Sequence, residues 1–236
     1  MGLWLCREAF AGRAWADRAR LLAVAPLRRM LAVNTDIMIR SVLLQGCFTT
    51  FLFLGAGFGD VTLAANQVLL QFLEITAYAL DGFAIAAETL VGQAVGARRR
   101  AQVRRASLVT LQWAVPGSLG RGALFWFGGP AIIDLMATAP GVRSEARAHL
   151  PWLAIDPLIA VASYMFDGIF IGATLTREMR NTMILSVAIH AVAVVVLMPV
   201  MGNHGLWAAL MVLNGVRGLG MALYYPRAEA AATPLA

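Results

Sequence analysis

Apolar and polar positions alternate along this chain in long blocks. Six apolar runs follow one another, at about 37–58, 63–95, 108–136, 150–175, 183–201 and 206–225. Each is close to or beyond the roughly 20 residues that a helix needs to cross a hydrocarbon core of about 30 Å. The first run starts after 34–36, a polar stretch suited to beginning a helix, and stops at the glycine-rich "GAGFGD". The second is long enough to tilt or to protrude from the bilayer. Pro116 and Gly117 interrupt the third, and the fourth holds Pro151 and Pro157. Upstream, residues 7–33 mix Arg with Leu, Ala and Val, and Pro26 breaks any helix there. That stretch reads as an amphipathic segment lying on a membrane surface. The opening "GLWLCREAFAGR" reads as the end of a helix leaving the membrane, with Trp4 at the interface. The expected layout is a connector over 1–33, a six-helix membrane unit over 34–227 and a short tail over 228–236.

The polar breaks set an orientation. Arg98, Arg99, Arg100, Arg104 and Arg105 fall between the second and third runs, Arg177 and Arg180 between the fourth and fifth, and Arg227 after the last. The opposite breaks hold little basic charge beyond Arg143 and Arg147. Short Arg-rich loops stay in the cytoplasm. Both ends of the chain are therefore expected there, with the protein in the inner (cytoplasmic) membrane.

Composition agrees. Apolar residues make up 60% and charged residues 14%, against roughly 45–50% and about 25% in soluble domains. The mean hydropathy is +0.72. The net charge of +6 comes entirely from Arg. Its placement beside apolar runs fits a bilayer and not a nucleic acid, for which no motif is present. Cys6 and Cys47 have no metal or redox spacing, and no phosphate loop or nucleophile motif occurs. No enzyme activity, cofactor or metal is expected.

Candidate chemistry lies inside the apolar runs, where an ionisable side chain must face a partner or water. The second run carries Glu74, Asp81 and Glu88. Seven-residue steps drift only about 20° each, so these acids share one helix face over roughly 21 Å. The fourth run adds Asp156 and Asp167 on nearly one side. Such stripes suit a cationic path; acids that merely pair with Arg121 or Arg217 to fix packing are the plainer alternative. Arg121, midway along the third run, should meet an acid or mark a wet break near Pro116. His190 is more often a hydrogen-bonded packing residue than a proton shuttle. Gln45, Asn66, Gln67, Gln71 and Gln93 add hydrogen-bonding capacity. "LDGFAIAAETL" and "FDGIFIGATLT" echo one another, aligning Asp81 with Asp167 and Ala87 with Ala173, by old duplication or by chance.

"LAANQVLLQFLEITAYALDGFAIAAETLVGQAVGARRR", "FDGIFIGATLTREMRNTMILS" and "GLWAALMVLNGVRGLG" resemble, in order and separation, the eighth, tenth and twelfth helices of multidrug and toxic compound extrusion (MATE) transporters. The similarity is to the branch named for DNA-damage-inducible protein F. It implies an all-α integral membrane protein whose six transmembrane helices form one lobe, the C-terminal one, of a MATE-type transporter. An N-terminal six-helix lobe would complete it. Members export small cationic or amphipathic compounds against inward H⁺ or Na⁺ by alternating access. The resemblance assigns Asp81, Glu88, Asp167 and Arg217 to family positions. It leaves Glu74 and Arg121 where uncharged residues are the rule. The first run has Gln45 but no Glu, which argues for H⁺ over Na⁺. The substrate and ion-coupling candidates are thus Asp81, Asp167, Glu88, Glu74, Asp156, Arg217, Gln71 and Gln45. A non-transporting fragment, a half-transporter needing a partner lobe, and a flippase of lipid-linked oligosaccharides are the competing expectations.

Overall fold

The computed structural model describes residues 23–232. The helix end expected at the N-terminus, the first part of the connector and the last residues of the tail lie outside them. Among the described residues there are helices and tight turns and no strand. The helices are α1 (Val24–Ala56), α2 (Asp60–Gly96), α3 (Arg100–Met136), α4 (Pro140–Gly172), α5 (Thr176–Met201) and α6 (Asn203–Ala230). All but α3 combine the length and hydropathy needed to cross a bilayer. α3 is as long as α2, but its middle is diluted by "PGSLGRG".

Each helix is longer than its apolar run, because the flanking polar turns are helical too. α1 begins at Val24 and not near residue 34. Pro26 sits in its first turn, where a missing N–H breaks no intrahelical bond. Pro116 and Pro130 lie within a continuous α3, so the expected interruption at Pro116 is absent.

α4 is the axis of the bundle. It packs extensively on α2, α3 and α6, while α5 pairs with α6, and α1 leans on α5 more than on α2. Small residues permit the closest approach. A methyl group on Gly168 would collide with the Ala84 carbonyl, and one on Gly172 would lie 2.5 Å from the Glu88 carbonyl oxygen. α2 and α4 therefore meet backbone to backbone, as membrane helices with small interface residues do.

Two apolar cores fill the bundle. One, around Leu69, Phe72, Leu206 and Trp207, occupies the Arg-poor end. The other, around Leu80, Val91, Met165 and Phe170, occupies the Arg-rich end. Large apolar side chains such as Phe127, Leu135, Val200 and Leu223 point outward, which suits lipid.

The turns after α2 and α4 share one shape. Arg98 and Thr174 both take positive φ, at 54° and 57°. Both turns also repeat the same backbone bonds, with the Arg99 N–H donating to the Ala94 carbonyl and the Leu175 N–H to the Phe170 carbonyl. In this register Gly96 matches Gly172, and Asp81 falls against Pro157 rather than Asp167. The sequence echo is thus out of step with the structural one, which favours chance as its origin.

Candidate functional site

Polar side chains from α1, α4 and α6 converge where the two cores meet. Asp167 on α4 is the hub. Arg217 on α6 donates to its Oδ2 at 2.7 Å. Arg40 on α1 donates to the same oxygen. Arg217 also donates to Asn214 Oδ1 at 3.2 Å. Asn214 in turn donates through Nδ2 to Asp156 Oδ1 at 3.0 Å. The Ser163 hydroxyl donates to the Asn214 carbonyl at 2.6 Å, clamping α4 to α6. Asp156, Asp167 and Arg217 are at most 5% exposed. A buried guanidinium with no carboxylate would be severely destabilising, so the pairing is what permits Arg217 at all.

The network is not closed. Asp167 Oδ1 is buried without a hydrogen-bond partner, and it is the acceptor site still free on that carboxylate. Asp81 on α2 stands at the margin. It is exposed and makes no ion pair among the described residues, yet it lies within the field of Arg40, Asp167 and Arg217. Three carboxylates thus share two guanidinium groups. Nearer the Arg-rich end a second link joins α1 to α5. Arg180 pairs with Asp36, and Thr176 Oγ1 donates to Asp36 Oδ2 at 3.2 Å.

The structure brings Asp156, Asp167 and Arg217 into one network with Asp81 beside it. Glu74 and Gln45 instead line a cavity between α1 and α2. Gln71 is exposed on α2, and Glu88 is half-buried where α2 meets α4. His190 donates or accepts at the Ala209 carbonyl, 2.8 Å away in the α5–α6 interface, as a packing histidine does. Arg121 meets no acid among the described residues; its Nε and Nη2 are buried without hydrogen-bond partners. The expected acid partner and the expected break at Pro116 are both missing, and nothing in the structure explains the residue.

Sequence reasoning missed Arg40, although a charge within the first apolar run is itself a signal. It also missed Asn214, whose amide bridges Arg217 and Asp156 and whose type alone carries no signal in a membrane helix.

Comparison with known proteins gives this site its context. The family model described as MatE matches residues 37–196. The chain belongs to the MatE family. The match takes in nearly all of α1–α5 and with them Arg40, Asp81, Asp156 and Asp167. Among curated relatives, DNA damage-inducible protein F of Escherichia coli (strain K12) is 42% identical over 208 residues, which is 85% of this chain and 43% of the relative. Probable multidrug resistance protein NorM of Pseudomonas aeruginosa is 29% identical over 180 residues, 74% of this chain and 36% of the relative. Protein DETOXIFICATION 43 of Arabidopsis thaliana is 24% identical over 191 residues, 81% of this chain and 36% of the relative. The chain thus spans less than half the length of the curated MatE relatives it matches. Family membership and the six apolar helices together make it an all-α integral membrane protein.

Proposed function

We propose that this chain is the C-terminal lobe of an exporter that expels cationic or amphipathic compounds in exchange for H⁺. An N-terminal six-helix lobe would form the other wall of the path, and residues 1–33 would connect the two along the cytoplasmic surface. The observation that carries the reading is the charged network shared by α1, α4 and α6, with unpaired Asp81 at its open edge. Similarity to proteins whose names include multidrug resistance supports it. The Arg bias supports an inner-membrane orientation with both ends of this chain in the cytoplasm.

The coupling follows from electrostatics. A carboxylate in a poorly hydrated cavity does not stay charged and unpaired; it takes a proton or a cation. Asp81 is the acid free to make that choice. A cationic substrate arriving from the cytoplasm would sit against it, and a proton arriving from outside would replace the substrate. Asp167 holds the receiving geometry by fixing Arg40 and Arg217. H⁺ is favoured over Na⁺ because two guanidinium groups already occupy Asp167, and a metal cation there would face both.

Asp81→Asn is the direct test. In membranes containing equal amounts of inserted protein, it should lower efflux of a cationic compound at least about tenfold. Efflux at the wild-type rate would remove Asp81 from the mechanism.

A further inference from the structure

A second concentration of chemistry lies apart from the ion network. Because α1 leans toward α5, it diverges from α2. A cavity of about 370 Å³ opens between them, with Tyr164 of α4 among its walls. Its size falls within the range of small-molecule pockets. The rings of Phe48, Phe53, Tyr78 and Tyr164 line it, and Glu74 is its one charged lining residue. Glu74 forms no ion pair or hydrogen bond among the described residues. Glu74 and Tyr78 are one helical turn apart on α2, so a carboxylate and a ring face the same space.

An unpaired carboxylate midway along a membrane helix requires water or a cation. Aromatic faces attract cations as well. No Arg lines the cavity, so nothing there would hold an anion, and a lipid acyl chain would gain nothing from Glu74. Tyr164 also ties the cavity to the ion network, since Arg217, Asp156, Asp81 and Asp167 all act on its phenol.

We infer that this cavity is a subsite for a monovalent organic cation with an aromatic body, held by the Glu74 carboxylate against the rings of Phe48, Tyr78 and Tyr164. Glu74 is the specificity-determining residue: it distinguishes a cation from a neutral molecule of the same shape. This deepens the exporter reading, on which the role of the subsite in transport rests.

The test separates binding from transport. Binding of tetraphenylphosphonium, and of neutral triphenylphosphine oxide, is measured by equilibrium dialysis on the native protein in lipid nanodiscs. Wild type should bind the cation more tightly. Glu74→Gln should weaken cation binding about tenfold and leave the neutral compound unchanged, while Glu74→Asp should keep most of the cation affinity. Tyr78→Ala should weaken both. Equal cation affinity in wild type and Glu74→Gln, or no cation binding by wild type, would overturn the subsite. Efflux of the same cation from cells is read separately. Glu74-dependent binding without any efflux would support the subsite and sink the exporter reading. Efflux with Glu74-independent binding would do the reverse.

Discussion

Asp167 carries two guanidinium groups on one carboxylate oxygen and none on the other. The arrangement is asymmetric in its consequences. Arg217 is 2% exposed and bonds both Asp167 and Asn214, so its removal leaves two buried acceptors under-satisfied. Arg40 is half-buried and belongs to the outermost helix of the bundle, so its loss admits water. Arg217→Met should therefore destabilise the protein by about 3 kcal/mol or more, and Arg40→Met by clearly less. Thermal unfolding in detergent measures both, and equal losses would contradict the assignment of Arg217 as the buried anchor. Much of this site is legible from residue type alone. Asp156, Asp167 and Arg217 stand out as charges in apolar runs, and their spacing predicts one side for the two acids. What the sequence could not supply is partner choice. Nothing in it says that Arg40, far away along the chain, reaches Asp167, or that Arg121 reaches no acid.

At the scale of elements, α2 and α4 are held at backbone contact by Gly168 and Gly172. Gly172→Val would press a branched side chain against the Glu88 carbonyl and force the helices apart. It should lower thermal stability sharply and broaden the gel-filtration profile, whereas Gly82→Ala, which has open space around it, should do neither. A polar staple secures the other end. Asn66 on α2 accepts from Asn203 Nδ2 and Trp207 Nε1, both at 3.0 Å, and donates to Asn203 Oδ1 at 2.8 Å. Interhelical hydrogen bonds in membranes average about 0.6 kcal/mol each. Asn66→Leu should then cost about 2 kcal/mol, read by the same unfolding assay, and an unchanged melting temperature would show that the staple is decorative. Helix number and order were readable from the apolar runs, since the hydrocarbon thickness sets their length. Helix ends were not. Polar turns beyond the bilayer keep the helical conformation, and Pro26 and Pro116 are tolerated where a breaker was anticipated. A shared turn geometry at Arg98 and Thr174 was equally invisible, because it depends on φ and not on residue type.

For the whole molecule, the loops separate into an Arg-rich end and an Arg-poor end, and the charged network lies between two apolar cores. The proposed orientation places the α2–α3 turn in the cytoplasm and the α3–α4 turn outside. Ala139→Cys should react with a membrane-impermeant maleimide added to intact cells, and Arg99→Cys only after the membrane is opened; the opposite pattern would invert the topology. The central claim is proton exchange for an organic cation through Asp81, and it is tested most directly in vesicles that contain the native protein under an imposed pH gradient without Na⁺. Addition of tetraphenylphosphonium should dissipate the gradient through the wild-type protein and fail to do so through Asp81→Asn. A gradient that stays intact in the wild type, or one that collapses equally in the variant, would contradict the account.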